Sequence, residues 1–297
     1  MNLLITGAWS DAGKYIEYLE QQGNCVEFLQ FEKEELPCAY EWVEGVICNG
    51  LFLTHPIEKF VNLKYIQLTS AGFDRVPMEY VKEHQIEIHN ARGVYSIPMA
   101  EFAVFGVMEI YKQSKFFLHN QMEHNWEKHR ELLELFGKKV CILGCGNVGT
   151  ECAKRFKAFG CEIVGIDLYT RSDENYHIIL GLKELENVLP ESDVIILTLP
   201  LTKETEHLIN GEKFKLMKEG AVLVNIARGG VVDTNALIKA LSRLRGAVID
   251  VFEEEPLGLD SPLWDMENVI VTPHNSFVGD GNGERLSELI LENIRRK

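Results

Sequence analysis

Arg228, His274 and the acidic run Glu253-Glu-Glu255 are the side chains on which charge and proton chemistry would rest in this sequence. Arg228 lies in Val224-Asn-Ile-Ala-Arg-Gly-Gly-Val-Val-Asp233, just past an apolar run, with two glycines beside it that predict a tight loop. A guanidinium so placed holds a carboxylate through two parallel hydrogen bonds. His274 closes Asn268-Val-Ile-Val-Thr-Pro-His274, and an imidazole exchanges protons near neutral pH. A carboxylate from the run before Pro256, paired with His274, would fix its tautomer and favour its charged form. Periodicity does not choose among Glu253, Glu254 and Glu255.

A second constellation is Gly144-Cys-Gly-Asn-Val-Gly149, which follows an apolar strand pattern and precedes a helical one. Gly144 makes the tight turn, Gly146 lets backbone approach a pyrophosphate, and Gly149 lets helix and strand pack closely. N–H groups of Asn147, Val148 and their neighbours at the helix start then face the phosphates. The next strand ends at Asp167, 18 residues beyond Gly149. Its carboxylate suits the two ribose hydroxyls of an adenosine and repels a 2′-phosphate, so NAD is favoured over NADP, although Arg171 stands nearby.

Such residues need strands to carry them. In the first part of the chain Leu3–Thr6, Cys25–Leu29, Gly45–Cys48, Tyr65–Leu68 and the short Ile86–Ile88 read as strands, with a helix over Lys14–Gln22. A long apolar helix is expected from Pro98 through Met99 to about Phe117, and a polar connector with His119, His124 and His129 follows. The five-residue spacing of these histidines does not align them on one helical face, so no metal site is expected. The second part has strands over Lys139–Leu143, Glu162–Ile166, Asp193–Leu199, Ala221–Asn225, Gly246–Val251 and Asn268–Thr272, with helices over Asn147–Phe159 and Asn235–Leu241. Strands separated by helix-length stretches favour parallel sheets with helical cover. An amphipathic helix over Glu284–Arg295 is expected to return to the first lobe.

The composition sets bounds. With 297 residues, two domains are expected. Asp and Glu number 45 against 30 Lys and Arg, a net charge of -15, which disfavours a general nucleic-acid binder. The seven cysteines are odd in number and form no C-x-x-C pair, which fits reduced thiols in a cytoplasmic protein. Met1–Ala8 runs straight into a strand pattern with no signal-like segment, and no run approaches a membrane span of roughly 20 apolar residues.

Over essentially its whole length the chain resembles the D-isomer-specific 2-hydroxyacid dehydrogenase family. The likeness rests on Thr69-Ser-Ala-Gly-Phe-Asp74, Asn90-Ala-Arg-Gly-Val-Tyr-Ser-Ile-Pro-Met-Ala-Glu101, Gly144–Gly149, Leu199-Pro-Leu-Thr202, Asn225–Asp233, Asp250-Val-Phe-Glu-Glu-Glu-Pro256 and Thr272-Pro-His274, in that order. The resemblance implies an α/β fold in which a Rossmann-type dinucleotide-binding domain, residues 98–274, is inserted into a smaller flavodoxin-like α/β catalytic domain, residues 1–97 and 275–297. It implies Arg228, Glu255 and His274 as the catalytic residues. Ser70, Ala71, Gly72 and Asn49 would meet substrate. Gly144, Gly146, Asn147, Val148, Gly149, Asp167, Pro200, Asp250 and Ser276 would meet NAD, with Asp250 on the nicotinamide carboxamide. A homodimer through the helix after Pro98 is implied as well. The expected activity is NAD-dependent interconversion of a small 2-oxo acid and its D-2-hydroxy acid, of the glyoxylate, hydroxypyruvate or pyruvate kind. D-3-phosphoglycerate dehydrogenase and a non-enzymatic NAD(H)-sensing, corepressor-like binding protein are the alternatives. Three departures from the family pattern stand out: a slightly short interval from Arg228 to Glu255, with the turn near Arg243 to Gly246 trimmed; Asn275-Ser276 after the histidine; and a loop Cys48-Asn-Gly-Leu-Phe52 without the arginine common in phosphoglycerate dehydrogenases.

Overall fold

The computed structural model describes residues 1–296. The chain forms two compact units, one of Met1–Tyr95 with Gly279–Lys297, the other of Ser96–Val278. The expected boundaries were 97/98 and 274/275, and the units divide at 95/96 and 278/279. The first junction moves because the long helix begins at Ser96, ahead of Pro98.

The first unit holds strands β1 (Asn2–Thr6), β2 (Cys25–Leu29), β3 (Gly45–Cys48), β4 (Tyr65–Leu68) and β5 (Glu87–His89), and helices α1 (Ile16–Gln21) and α2 (Met78–Glu83). All strands are parallel, in the order β2-β1-β3-β4-β5. Every residue of β3 and β4 is buried. Such runs, apolar but for Gln67, belong to a parallel sheet covered on both faces. The last helix, Asn282–Arg295, belongs to this unit, as expected. It is tied down where Trp9 Nε1 donates to Ser287 Oγ at 2.9 Å and Asn293 Nδ2 to Gln67 Oε1 at 2.8 Å.

The second unit opens with α3 (Ser96–Tyr111) and α4 (Ser114–Met122). One continuous helix to Phe117 was the expectation, and the chain instead breaks at Gln113. That residue adopts a left-handed φ of 54°, and its amide donates to Ile110 O at 3.0 Å, engaging a carbonyl of the last turn of α3. Pro98 is third in α3, where its missing N–H is still one of the four that have no intrahelical partner. The sheet comprises β6 (Lys139–Leu143), β7 (Glu162–Asp167), β8 (Ile178–Gly181), β9 (Val194–Leu197), β10 (Val222–Asn225), β11 (Gly246–Ile249) and β12 (Val269–Val271). Helices α5 (Asn147–Ala158), α6 (Leu185–Val188), α7 (Gly211–Leu216) and α8 (Thr234–Ala240) lie between them, and the returning helix is α9. The order β12-β11-β10-β9-β6-β7-β8 is fully parallel and reverses its progression at β6 and β9. β8 is the one strand the pattern did not predict, a four-residue edge strand with only Ile179 fully buried.

Register then does the positioning. Leu143 pairs with Leu197, Leu197 with Asn225, Asn225 with Ile249, and Ile249 with Val271. The residues just beyond these partners, at Gly144, Thr198, Ile226, Asp250 and Thr272, therefore line one carboxyl edge. That is where ligands of doubly wound sheets gather, at the point where strand order reverses.

Candidate active site

The glycine loop leaves β6 at Gly144, which has a φ of 95°. A Cβ there would lie 2.9 Å from the Leu199 nitrogen, and one on Gly149 would lie 2.0 Å from the Gly144 carbonyl oxygen. No other residue fits either place. Thr198 Oγ1 donates to the Gly144 carbonyl at 2.6 Å and fastens the turn to β9. At Gly146, by contrast, a Cβ would meet nothing within 4 Å, and no side chain caps the start of α5. Asn147 is exposed and Val148 half-buried beside it. An open, uncapped helix start with free approach to its backbone fits a dinucleotide pyrophosphate.

Asp167 ends β7. Its Oδ2 accepts from the Cys145 N–H at 2.6 Å, and Arg171 Nη1 stands 3.9 Å from the same oxygen. The Arg171 guanidinium also donates to the Cys145 carbonyl. A carboxylate in this place suits ribose hydroxyls, and Arg171 partly offsets its charge. Pro200 is exposed beyond β9, with its carbonyl taken by Thr205 Oγ1 at 2.7 Å.

Arg228 follows β10 in a turn organised by buried Asn225. The Asn225 carboxamide accepts from the Ala227 N–H at 3.1 Å and donates to the Arg228 carbonyl at 3.1 Å. Arg228 Nη1 donates to Ala227 O at 2.8 Å. A Cβ on the next residue, Gly229, would fall 1.8 Å from the Phe252 carbonyl carbon. The glycine thus lets the Arg228 turn press directly on the segment that carries the acidic run.

Within that run the structure separates the three glutamates. Glu255 Oε2 lies 2.9 Å from His274 Nδ1, while its Oε1 accepts from the Phe252 N–H at 3.0 Å. Glu253 faces elsewhere, bonded to His207 Nε2 at 2.5 Å and to the Thr234 N–H at 2.9 Å. Burial works to raise its pKa, but the hydrogen bonds from Thr234 and His207 outweigh that and hold it below the ordinary carboxylate value. Glu254 is exposed.

His274 has a left-handed φ of 51°, uncommon for a residue with a side chain. Asp250, wholly buried, supplies the reason. Its carbonyl accepts the His274 N–H at 2.8 Å. Its carboxylate accepts Thr272 Oγ1 at 2.6 Å, the Asn275 N–H at 2.8 Å and the Ser276 N–H at 3.0 Å. Sequence reasoning expected Asp250 to meet the nicotinamide and missed its contacts to the His274 turn. A carboxylate has about four acceptor positions, so three are already engaged. Ser276, expected at the cofactor, is buried with its N–H on this carboxylate.

In the first unit, the loop of Ser70, Ala71 and Gly72 follows β4. Its carbonyls are held from one side: Thr69 O accepts the Tyr95 hydroxyl, Ser70 O the Ala91 N–H at 2.9 Å, and Ala71 O the Asn90 amide at 2.5 Å. In a trans peptide the N–H points opposite its carbonyl. The N–H groups of Ser70, Ala71 and Gly72 are therefore turned away from residues 90–95. The loop after β3 lies alongside, since the Thr69 N–H donates to Cys48 O at 2.9 Å. Asn49, from that loop, has its Oδ1 buried without a hydrogen-bond partner.

The doubly wound sheet, the uncapped glycine loop and the paired imidazole and carboxylate at one edge fit an NAD-dependent oxidoreductase. The family model described as "D-isomer specific 2-hydroxyacid dehydrogenase, NAD binding domain" matches residues 104–276, and the chain belongs to that family. It is 34% identical over 247 residues to a glyoxylate reductase of Pyrococcus horikoshii, a match spanning 80% of this chain and 74% of the relative. It is 33% identical over 288 residues to a D-3-phosphoglycerate dehydrogenase of Methanocaldococcus jannaschii, covering 95% of this chain and 55% of that one. Among solved structures it resembles the D-lactate dehydrogenase of Aquifex aeolicus complexed with NAD and lactic acid. That likeness has a TM-score of 0.79 and 29% identity, over 99% of this chain and 94% of the other. Among the described residues no helix is long and apolar enough to cross a membrane.

Proposed function

We propose that the protein reduces a small, unphosphorylated 2-oxo acid of the glyoxylate or hydroxypyruvate kind to its D-2-hydroxy acid, with NADH preferred over NADPH. The observation that carries the chemistry is the 2.9 Å contact between His274 Nδ1 and Glu255 Oε2. A carboxylate on one ring nitrogen fixes the ring's orientation and leaves the other nitrogen to hand a proton to the oxygen of the reduced carbonyl. Arg228 orients the substrate carboxylate and stabilises negative charge gathering on the carbonyl oxygen. The family resemblance assigns the N–H groups of Ser70, Ala71 and Gly72 as further carboxylate donors. When bound, the dinucleotide supplies the hydride, and the chain supplies position and field. Gly144, Gly146, Gly149 and the start of α5 would hold its phosphates, Asp167 its adenosine ribose, and Pro200, the remaining acceptor position of Asp250 and the neighbourhood of Ser276 its nicotinamide half.

The segment Cys48–Phe52 contains no cation of its own, which favours an unphosphorylated acid. The glyoxylate reductase relative supports the same reading. A phosphorylated substrate is the second reading, because the Arg75 stem passes 3.7 Å from where a Gly50 Cβ would stand. Comparison of kcat/KM for glyoxylate, hydroxypyruvate, pyruvate and phosphohydroxypyruvate, each with NADH and NADPH, decides between them. The reading also includes a homodimer, supported by exposed Phe105, Phe117, Leu118 and Met122 on α3 and α4.

A further inference from the structure

The loop after β3 carries a carboxylate that the proposed reaction does not use. Glu32 lies just beyond β2, and the sheet order β2-β1-β3 means that its side chain reaches past β1. Its Oε1 accepts the Asn49 N–H at 2.6 Å and the Thr6 hydroxyl at 2.8 Å, and its Oε2 accepts the Gly50 N–H at 2.6 Å. Two successive N–H groups, each aimed at a different oxygen of one anion, form a backbone anion-binding nest. Beside it runs the stem of Arg75, an exposed residue. Two N–H groups, a hydroxyl and a nearby cation would suit an anionic substituent, and the chain has placed its own carboxylate there.

We infer that Glu32 is a specificity-determining residue: it fills the anion nest at Asn49 and Gly50 and so excludes substrates bearing a second anionic group. The inference rests on the proposed reading in one respect, that the loops after β3 and β4 face the substrate. A second charge approaching this nest meets a carboxylate already holding its donors, and like charges placed together are strongly disfavoured. A neutral hydroxyl is treated differently. It can donate to Glu32 or to the buried, unpartnered Asn49 Oδ1, and a buried acceptor without a donor is a group that a ligand hydroxyl satisfies. The nest therefore selects for a short neutral or hydroxylated tail, as in glyoxylate or hydroxypyruvate, against phosphorylated or dicarboxylic acids.

The test measures kcat/KM for hydroxypyruvate and phosphohydroxypyruvate in the parent, Glu32→Ala, Glu32→Gln and Glu32→Asp, with thermal midpoints recorded alongside. The phosphorylated acid should gain on hydroxypyruvate by about tenfold or more in Glu32→Ala and Glu32→Gln, the scale of removing one like-charge contact. Glu32→Asp, which keeps the charge, should stay nearer the parent. Adding Arg75→Ala to Glu32→Ala should reverse much of the gain. A ratio moving less than about twofold in both neutral variants, at parental thermal midpoints, overturns the inference. Binding of inorganic phosphate to the NADH-saturated protein, followed by line broadening of the free phosphate 31P signal, gives a readout independent of turnover. Broadening in Glu32→Ala beyond that of the parent supports the filled nest even if the parent reduced none of these acids, an outcome that would sink the proposed function alone. Broadening no greater in Glu32→Ala than in the parent would overturn the nest itself. Should Glu32→Ala not fold, Glu32→Gln carries both readouts.

Discussion

His274 and Glu255 face each other across 2.9 Å, and the neighbouring glutamates are engaged elsewhere or exposed. At the residue scale this makes the acidic run separable by mutation. Glu255→Gln removes the charged acceptor that orients the His274 ring, so the rate of reduction, read from NADH absorbance, should fall while NADH affinity stays near the parent's. Glu253→Gln should leave that rate in place, because Glu253 bonds His207 and Thr234. Its own lowered pKa means that any stability it contributes is present above the ordinary carboxylate value and fades as pH falls through the lower folded one. Arg228→Ala should harm both KM and kcat, since it removes a carboxylate clamp and charge stabilisation together. Arg228→Lys should restore only part, for a point charge cannot reproduce the planar fork. A rate lowered by Glu253→Gln and unmoved by Glu255→Gln would reverse the assignment.

Between strands, short turns do the work, and here the sequence was legible unevenly. Unbroken apolar runs such as Val222–Val224 and Gly246–Ile249 announced buried parallel strands, and the Gly144 motif announced its own loop, because glycine spacing reflects backbone approach directly. β8 was silent because a four-residue edge strand lacks a buried run. The break at Gln113 was silent because it rests on one backbone angle inside an apolar stretch. The choice of Glu255 came from family resemblance rather than periodicity, and the Asp250 contacts came from the structure alone, since a buried carboxylate's donors are not written in its neighbours. These contacts bear a prediction. Asp250→Ala removes the acceptor of the Thr272 hydroxyl and of the Asn275 and Ser276 N–H groups, of which the buried Ser276 N–H carries the full cost of about 1–3 kcal/mol. A clear drop in thermal midpoint together with a fall in kcat is expected, and Asp250→Asn should be milder. A parental midpoint and kcat in Asp250→Ala would show that the turn holds His274 without it.

For the molecule as a whole, cofactor choice is predicted from Asp167 and assembly from exposed apolar residues. Asp167 should make NADH bind more tightly than NADPH in fluorescence titrations. Equal or tighter NADPH binding would transfer the deciding role to Arg171, which stands 3.9 Å away. Phe105 is 55% exposed and Leu118 57% exposed on neighbouring helices, an apolar surface that suits burial against a second copy. Sedimentation equilibrium at micromolar concentration should give twice the chain mass, and a single-chain mass across that range would refute the dimer. Five of the seven cysteines are buried. Burial pushes the Cys141, Cys145 and Cys152 thiols up to about 12, so treatment with thiol reagents should leave these three untouched in the folded state. The central claim, proton delivery by His274, is tested most directly by single-turnover reduction of hydroxypyruvate with NADH in the parent and in His274→Ala. A loss of about 10²–10⁴-fold in the chemical step, with NADH affinity little changed, is the predicted result. A near-parental rate in His274→Ala, with chemistry limiting, would contradict it.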